Sequence, residues 1–276
     1  MSQKMDGLRP QTKLVRAGLS RSQFNETSEA LYLNSGFVFD DAAQAEAAFK
    51  GENDSYIYSR YGNPTVSVFE ERLAVLEGAE MCRATATGMA AVFASIACHV
   101  RAGERVVASR ALFGSCHFIL DQILPRWGIE TVFVDGTNLD EWEAALSQPT
   151  KAVFLESPSN PMLDLVDIAA VAEMTHAAGA LMVVDNVFAT PLYQKPLELG
   201  ADIVVYSATK HIDGHGRCLG GAVLATEEFM TEHFIPFYRH TGPSLSPFNA
   251  WVMAKSLETL SLRVAHQSQG SLEIAG

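Results

Sequence analysis

Lys151-Ala152-Val153-Phe154-Leu155-Glu156-Ser157-Pro158-Ser159-Asn160-Pro161, Leu181-Met182-Val183-Val184-Asp185-Asn186 and Ile203-Val204-Val205-Tyr206-Ser207-Ala208-Thr209-Lys210 are the runs on which the fold turns. Each is apolar for a few residues and then abruptly polar. Short apolar runs without alternation read as strands covered on both faces. Between the first two, Asp167 to Ala178 has a helical pattern. Working outward, Arg105-Val106-Val107-Ala108 and Thr131-Val132-Phe133-Val134 are two further strands. Gly88 to Val100, Phe118 to Trp127 and Leu139 to Leu146 read as helices. Val66, Phe69, Leu73 and Leu76 mark an earlier helix that Gly78 stops. Gly220-Gly221-Ala222-Val223-Leu224-Ala225 is one more strand, added or antiparallel. The alternation predicts an α/β fold, a mostly parallel sheet with helices on both faces.

The chain has 20 Lys and Arg against 32 Asp and Glu, a formal net charge of −12. No basic stripe is available to neutralise phosphates, which argues against nucleic acid as a partner. Anionic small molecules stay open if a few cations are focused in one cleft. The longest apolar stretch, Met89 to Cys98, is too short for a bilayer and suits a buried helix. Met1 to Arg21 carries no apolar core of a secretory signal. Cys82, Cys98, Cys116 and Cys218 form no C-x-x-C pair and fit a reducing cytoplasm. His211, His215 and Cys218 have a metal-like spacing, but the surrounding glycines oppose a helix that would align them, so no metal is expected. Gly214-His215-Gly216-Arg217-Cys218-Leu219 fails as a dinucleotide fingerprint, because Leu219 holds the third glycine position and a strand comes next.

In open α/β sheets a ligand sits outside the carboxyl ends of the strands. Those ends deliver Glu156 to Pro161, Asp185-Asn186 and Ser207 to Lys210, and Thr85-Ala86-Thr87-Gly88-Met89 precedes a helix. A lysine there can form a Schiff base. A buried Asp185 needs a cationic partner, which a protonated pyridine nitrogen supplies. Gly88-Met89 presents backbone N–H groups to a phosphate. Ser207 and Thr209 add hydroxyls, and Asn160 suits a ring phenolate oxygen. Taken singly, Asp185 reads equally as a loop cap, Gly88 as a packing glycine and Lys210 as a solvated charge. Taken together they describe a site for pyridoxal 5'-phosphate.

Five segments in this order extend the reading: Tyr58-Ser59-Arg60-Tyr61-Gly62-Asn63-Pro64-Thr65, Thr87-Gly88-Met89-Ala90-Ala91, Glu156 to Pro161, Asp185-Asn186-Val187-Phe188-Ala189-Thr190-Pro191 and Ser207-Ala208-Thr209-Lys210-His211. From about residue 10 onward the chain resembles the Cys/Met-metabolism family of pyridoxal-phosphate enzymes, the γ-family of fold-type I. The resemblance implies that Lys210 is the Schiff-base lysine and Asp185 the pyridinium partner. It makes Gly88, Met89, Ser207 and Thr209 phosphate ligands and Phe113 the ring stacked on the cofactor, without the hydroxyl that many relatives carry there. Tyr58 and Arg60 match an arm that reaches the neighbouring subunit's cofactor, which implies a homo-oligomer, a dimer of dimers. By the residues alone, the poorly periodic segment 1–65 is such an arm or an irregular loop region.

Within the family, Ser244 to Trp251 and Leu257 to Arg263 look like the sulfhydrylases, and the compact spacing between Val134 and Glu156, with Phe113, most resembles those that act on O-succinylhomoserine. That implies γ-replacement with sulfide to give L-homocysteine, on a small amino-acid ester, in the cytoplasm and away from membranes. O-acetylhomoserine sulfhydrylases, cystathionine γ-synthases or γ-lyases and a non-catalytic cofactor-binding fragment are the alternatives. The expected organisation is an arm over 1–65, a cofactor-binding domain over 66–255, and over 256–276 the start of a C-terminal domain. In the family that domain supplies the arginine for the substrate α-carboxylate, and its absence is expected to leave Leu257, Leu260 and Val264 uncovered.

Overall fold

The computed structural model describes Met5 and residues 7–276. Its sheet contains β1 (Met81–Thr85), β2 (Arg105–Ser109), β3 (Glu130–Val134), β4 (Ala152–Glu156), β5 (Leu181–Asp185), β6 (Ile203–Tyr206) and β7 (Gly221–Ala225), in the order β1-β7-β6-β5-β4-β2-β3. β2 to β6 pair in parallel, while β7 lies antiparallel between β6 and β1. β1 therefore runs with β6, and its carboxyl end reaches the same rim as those of β2, β4 and β5. β3 and β4 flank β2 on opposite sides, so the winding reverses at β2 and opens a crevice between the ends of β2 and β4.

The central strands are buried along their length, which is why their sequences lack alternation. Val153, Leu155, Met182, Val184 and Val204 face one apolar cluster, shared with the helices Pro64–Glu77, Leu139–Leu146, Ile168–Ala177 and Pro247–Leu257. Ala152, Phe154, Val183, Ile203 and Val205 face the other, with the helix Gly88–Ala97 and the helical segment from Gly114 to Trp127. Each fully buried aliphatic side chain contributes about 1.5–3 kcal/mol. Gly78 does stop its helix, in the left-handed conformation at φ 90°.

The structure adds elements that the pattern did not suggest. β1 is one, because five residues with Arg83 in the middle carry little strand signal. Arg83 leaves the sheet to meet Glu70 at 3.0 Å. The segment expected to be helical from Phe118 begins at Gly114 and passes through a π turn at Ile119–Ile123 and a 3-10 turn at Leu124–Trp127. The N-terminal segment has helices of its own, Pro10–Arg16 and Ala42–Lys50. Leu257, Leu260 and Val264 are not an uncovered face: all three are buried in the first cluster, and in the helix Leu260–Ala275 it is Leu262, Leu272 and Ile274 that are exposed.

A buried charge ties the N-terminal segment to the core. Arg72 is fully buried; its Nε donates to Ala17 O at 3.1 Å and its Nη1 to Ala254 O at 2.8 Å and Glu258 Oε1 at 3.4 Å. Glu29, also buried, lies 3.9 Å away and is shared with Lys255 at 3.3 Å. Removing one member of such a cluster strands the others without a counter-charge. Arg72→Ala is expected to lower the unfolding free energy by about 3–5 kcal/mol, read from the denaturant midpoint.

Candidate active site

Five strand ends meet on one rim. The phosphate-binding candidates lie where β1 gives way to the helix Gly88–Ala97. Thr87 caps that helix, its Oγ1 accepting from Ala90 N at 3.0 Å. Among the described residues, the N–H groups of Gly88 and Met89 are left without a partner, as the first donors of a helix are. A Cβ on Gly88 would lie 2.5 Å from Ser207 Cβ, so only glycine lets the helix start and the Ser207 turn approach this closely. Gly221 is confined in the same way, 2.3 Å from Thr87 O to its would-be Cβ. Thr209 is near but committed: its hydroxyl donates to Gly220 O and accepts from Gly220 N, both at 3.1 Å.

The acidic end lies at β4 and β5. Asp185 is buried and accepts from Val187 N at 3.1 Å. Burial, helped by the charge of Glu156, raises its pKa to about 7. Glu156 sits opposite it in the β4–β5 register, and burial raises it to about 7 as well. Glu156 Oε2 accepts from the Phe113 N–H at 2.7 Å, across the crevice between β2 and β4. Phe113 itself is half exposed at 41%, and Asn160 is half-buried on the loop after β4. Beneath them runs a buried chain: Tyr206 OH donates to Glu77 Oε2 and accepts from Asn186 Nδ2 at 2.6 Å. Asn186 Oδ1 accepts from Gln194 Nε2 at 2.8 Å. Burial also pushes Glu77 up to about 7.

Lys210 is exposed on the turn after β6. The loop behind it is held from the C-terminal helix, where Arg263 donates to His211 O at 2.8 Å and Ile212 O at 3.1 Å. Buried Asp213 organises the rest, accepting from Arg217 N at 2.8 Å and Arg217 Nε at 3.0 Å. This carboxylate also accepts from His215 N at 3.3 Å and so shapes the glycine-rich run from 214 to 218.

Arg60 packs beside Gly242, next to Pro243, whose carbonyl accepts from Ala86 N at 2.6 Å. Arg60 donates to Arg239 O at 3.0 Å and its guanidinium stacks on Tyr58 and Tyr61 at 4.9 and 5.2 Å. No hydrogen bond among the described residues joins Tyr58 or Arg60 to Gly88, Asp185 or Lys210 of the same chain. Glu156, Thr87 and Arg263 received no role from the sequence. Thr87 had a signal in its place before a helix, and Glu156 in its place at a strand end; Arg263 had none.

These residues suit pyridoxal phosphate on structural grounds. A buried carboxylate lacks a cation among the described residues, and paired free N–H groups open beside a glycine-enforced contact. Residues 11–276 match the family described as Cys/Met metabolism PLP-dependent enzyme, and the chain belongs to that family. Pyridoxal phosphate is its cofactor. The chain is 60% identical over 98% of its length to an O-succinylhomoserine sulfhydrylase of Mycobacterium tuberculosis. It is 49% identical, again over 98%, to one of Pseudomonas aeruginosa. It spans 66% of the first protein's length and 67% of the second's. A putative O-acetylhomoserine (thiol)-lyase of Campylobacter jejuni, solved with a pyridoxyl-lysine monophosphate, superposes with a TM-score of 0.92 at 28% identity, covering 98% of this chain and 75% of that one.

The raised carboxyls give a pH dependence to the cofactor-free chain. A folded-state pKa lifted above the unfolded value favours the protonated form, so the contribution is complete at about pH 4 and lost as pH rises through about 7. Denaturant unfolding without cofactor should therefore show stability falling across this interval. Asp185→Asn should flatten the fall, and an unchanged slope would show that Asp185 does not titrate there.

Proposed function

We propose that the chain forms the cofactor-binding part of an enzyme that replaces the succinyloxy group at Cγ of O-succinyl-L-homoserine with sulfide, giving L-homocysteine and succinate. The observation that carries this is the 60% identity to a protein of that name. Bound pyridoxal phosphate supplies an electron sink for charge developing at the substrate Cα. Asp185 holds a positive charge at the ring nitrogen. The N–H groups of Gly88 and Met89 bind phosphate oxygens at the positive end of their helix, with the hydroxyl of Ser207 beside them. Thr209, tied to Gly220, braces that turn and reaches the phosphate only if its hydroxyl gives up the Gly220 carbonyl. Phe113 and Asn160 would hold the ring, the one by stacking and the other by a hydrogen bond to its oxygen. Lys210 would hold the cofactor through its amine, and that amine is the group that would move a proton at Cα. Lys210→Ala is expected to abolish turnover of O-succinyl-L-homoserine and sulfide, followed as homocysteine release; multiple turnover in that variant would remove the assignment. A preference for cysteine over sulfide would favour a cystathionine γ-synthase. Breakdown of methionine would favour a γ-lyase, the activity named for relatives at 38% identity.

The active unit is a homo-oligomer, a dimer of dimers in which Tyr58 and Arg60 serve a neighbouring subunit's phosphate. The apolar surface on the N-terminal segment, with Phe24 80% and Val38 98% exposed, supports this. The four free thiols support a reducing, cytoplasmic setting. Mixing Arg60→Ala with Lys210→Ala should restore part of the activity, because one site of a mixed dimer is then intact. Exchange of subunits without recovery would contradict a shared site.

A further inference from the structure

The crevice at the winding reversal contains a group with no assigned task. Glu156 ends β4, is buried, and takes the Phe113 N–H from the loop after β2 at 2.7 Å. The Asn160 N–H faces it from the loop after β4. On its other side the β4–β5 register places Asp185 directly opposite. One carboxylate thus touches the loop that carries Phe113, approaches the loop that carries Asn160 and neighbours the acid that meets the ring nitrogen. We infer that Glu156 is a positioning residue of the cofactor site, seating the Phe113 ring through its backbone and setting by its charge how firmly Asp185 holds a cation. The inference rests on the reading of this rim as a pyridoxal-phosphate site.

Two consequences separate. As anchor, Glu156 needs only an acceptor oxygen toward Phe113, which glutamine keeps. As charge, it opposes ionisation of Asp185, and glutamine removes that opposition. The other titratable groups facing Asp185 are the Cys116 thiol, from the helix Gly114–Phe118, and the Tyr206 hydroxyl on β6. Burial pushes both upward, so neither ionises in the range where Asp185 titrates. Glu77 lies one hydrogen bond further away, behind Tyr206.

The experiment titrates pyridoxal phosphate into the 276-residue chain, E156Q and E156A between about pH 5 and 9, following visible absorbance and the circular dichroism of the bound ring. Wild-type affinity should fall on the acid side of about pH 7 as Asp185 takes up a proton. E156Q should move that acid limb to lower pH and keep the dichroic band. E156A should move the limb equally and also weaken the band, because the Phe113 anchor is gone. A limb that stays in place in both variants overturns the charge role, and a band lost equally in both overturns the anchoring role. A wild-type chain that acquires no visible band overturns the cofactor reading and this inference with it, whereas the two variant outcomes leave that reading standing.

Discussion

A central strand covered on both faces has no room for charge along its length. β4, β6 and β7 are buried from end to end and β5 from Met182 onward, and every polar group that the sequence places in them is displaced to a terminus. The site is the product of that displacement. Glu156 and Asp185 are the last residues of their strands and still buried, whereas Ser207 and Lys210 lie on the turn after β6, where burial relents. Antiparallel β7 brings β1 to the other side of β6, so the Gly88 helix start joins the same rim. Close backbone approach then does the rest: Gly88 against Ser207 and Gly221 against Thr87 leave no space for a Cβ.

Desolvation gives this rim its electrostatics. Asp185 and Glu156 are two acids in one crevice with no cation beside them among the described residues, and both are driven toward neutrality. A cationic ligand nitrogen reverses this for the acid it meets. The cofactor-free chain is thus biased toward the protonated rim, the kind of poise that functional carboxylates show.

Much of this could be read from the residues. The parallel strands were legible because Val, Ile and Leu without alternation have few other solutions, and Leu139–Leu146 because its apolar spacing and cap are local. Asp185, Ser207 and Lys210 were legible because each stands where an apolar run turns polar. β1 was not, since its pairing with β7 is a long-range fact and its five residues include a charge. The N-terminal helices Pro10–Arg16 and Ala42–Lys50 were missed because they are short and bury little of their own, Leu14 and Ala48 respectively. The burial of Leu257, Leu260 and Val264 depends on a cluster whose other members come from strands and helices far away in sequence. Glu156 was visible but its task was not, because the Phe113 N–H that it takes belongs to another strand's loop.

Arg263 binds the loop after Lys210 from a helix that begins only at Leu260. Its guanidinium also fills the place where a side chain on Gly214 would begin, 1.8 Å from the would-be Cβ. Positions 214 and 263 are therefore not independent letters of the sequence. A side chain at 214 would have to push aside the far end of that arginine, and its backbone would still hold the left-handed conformation, φ 68°, that favours glycine. Position 214 thus answers to two constraints at once, and drift at 263 relaxes only one of them.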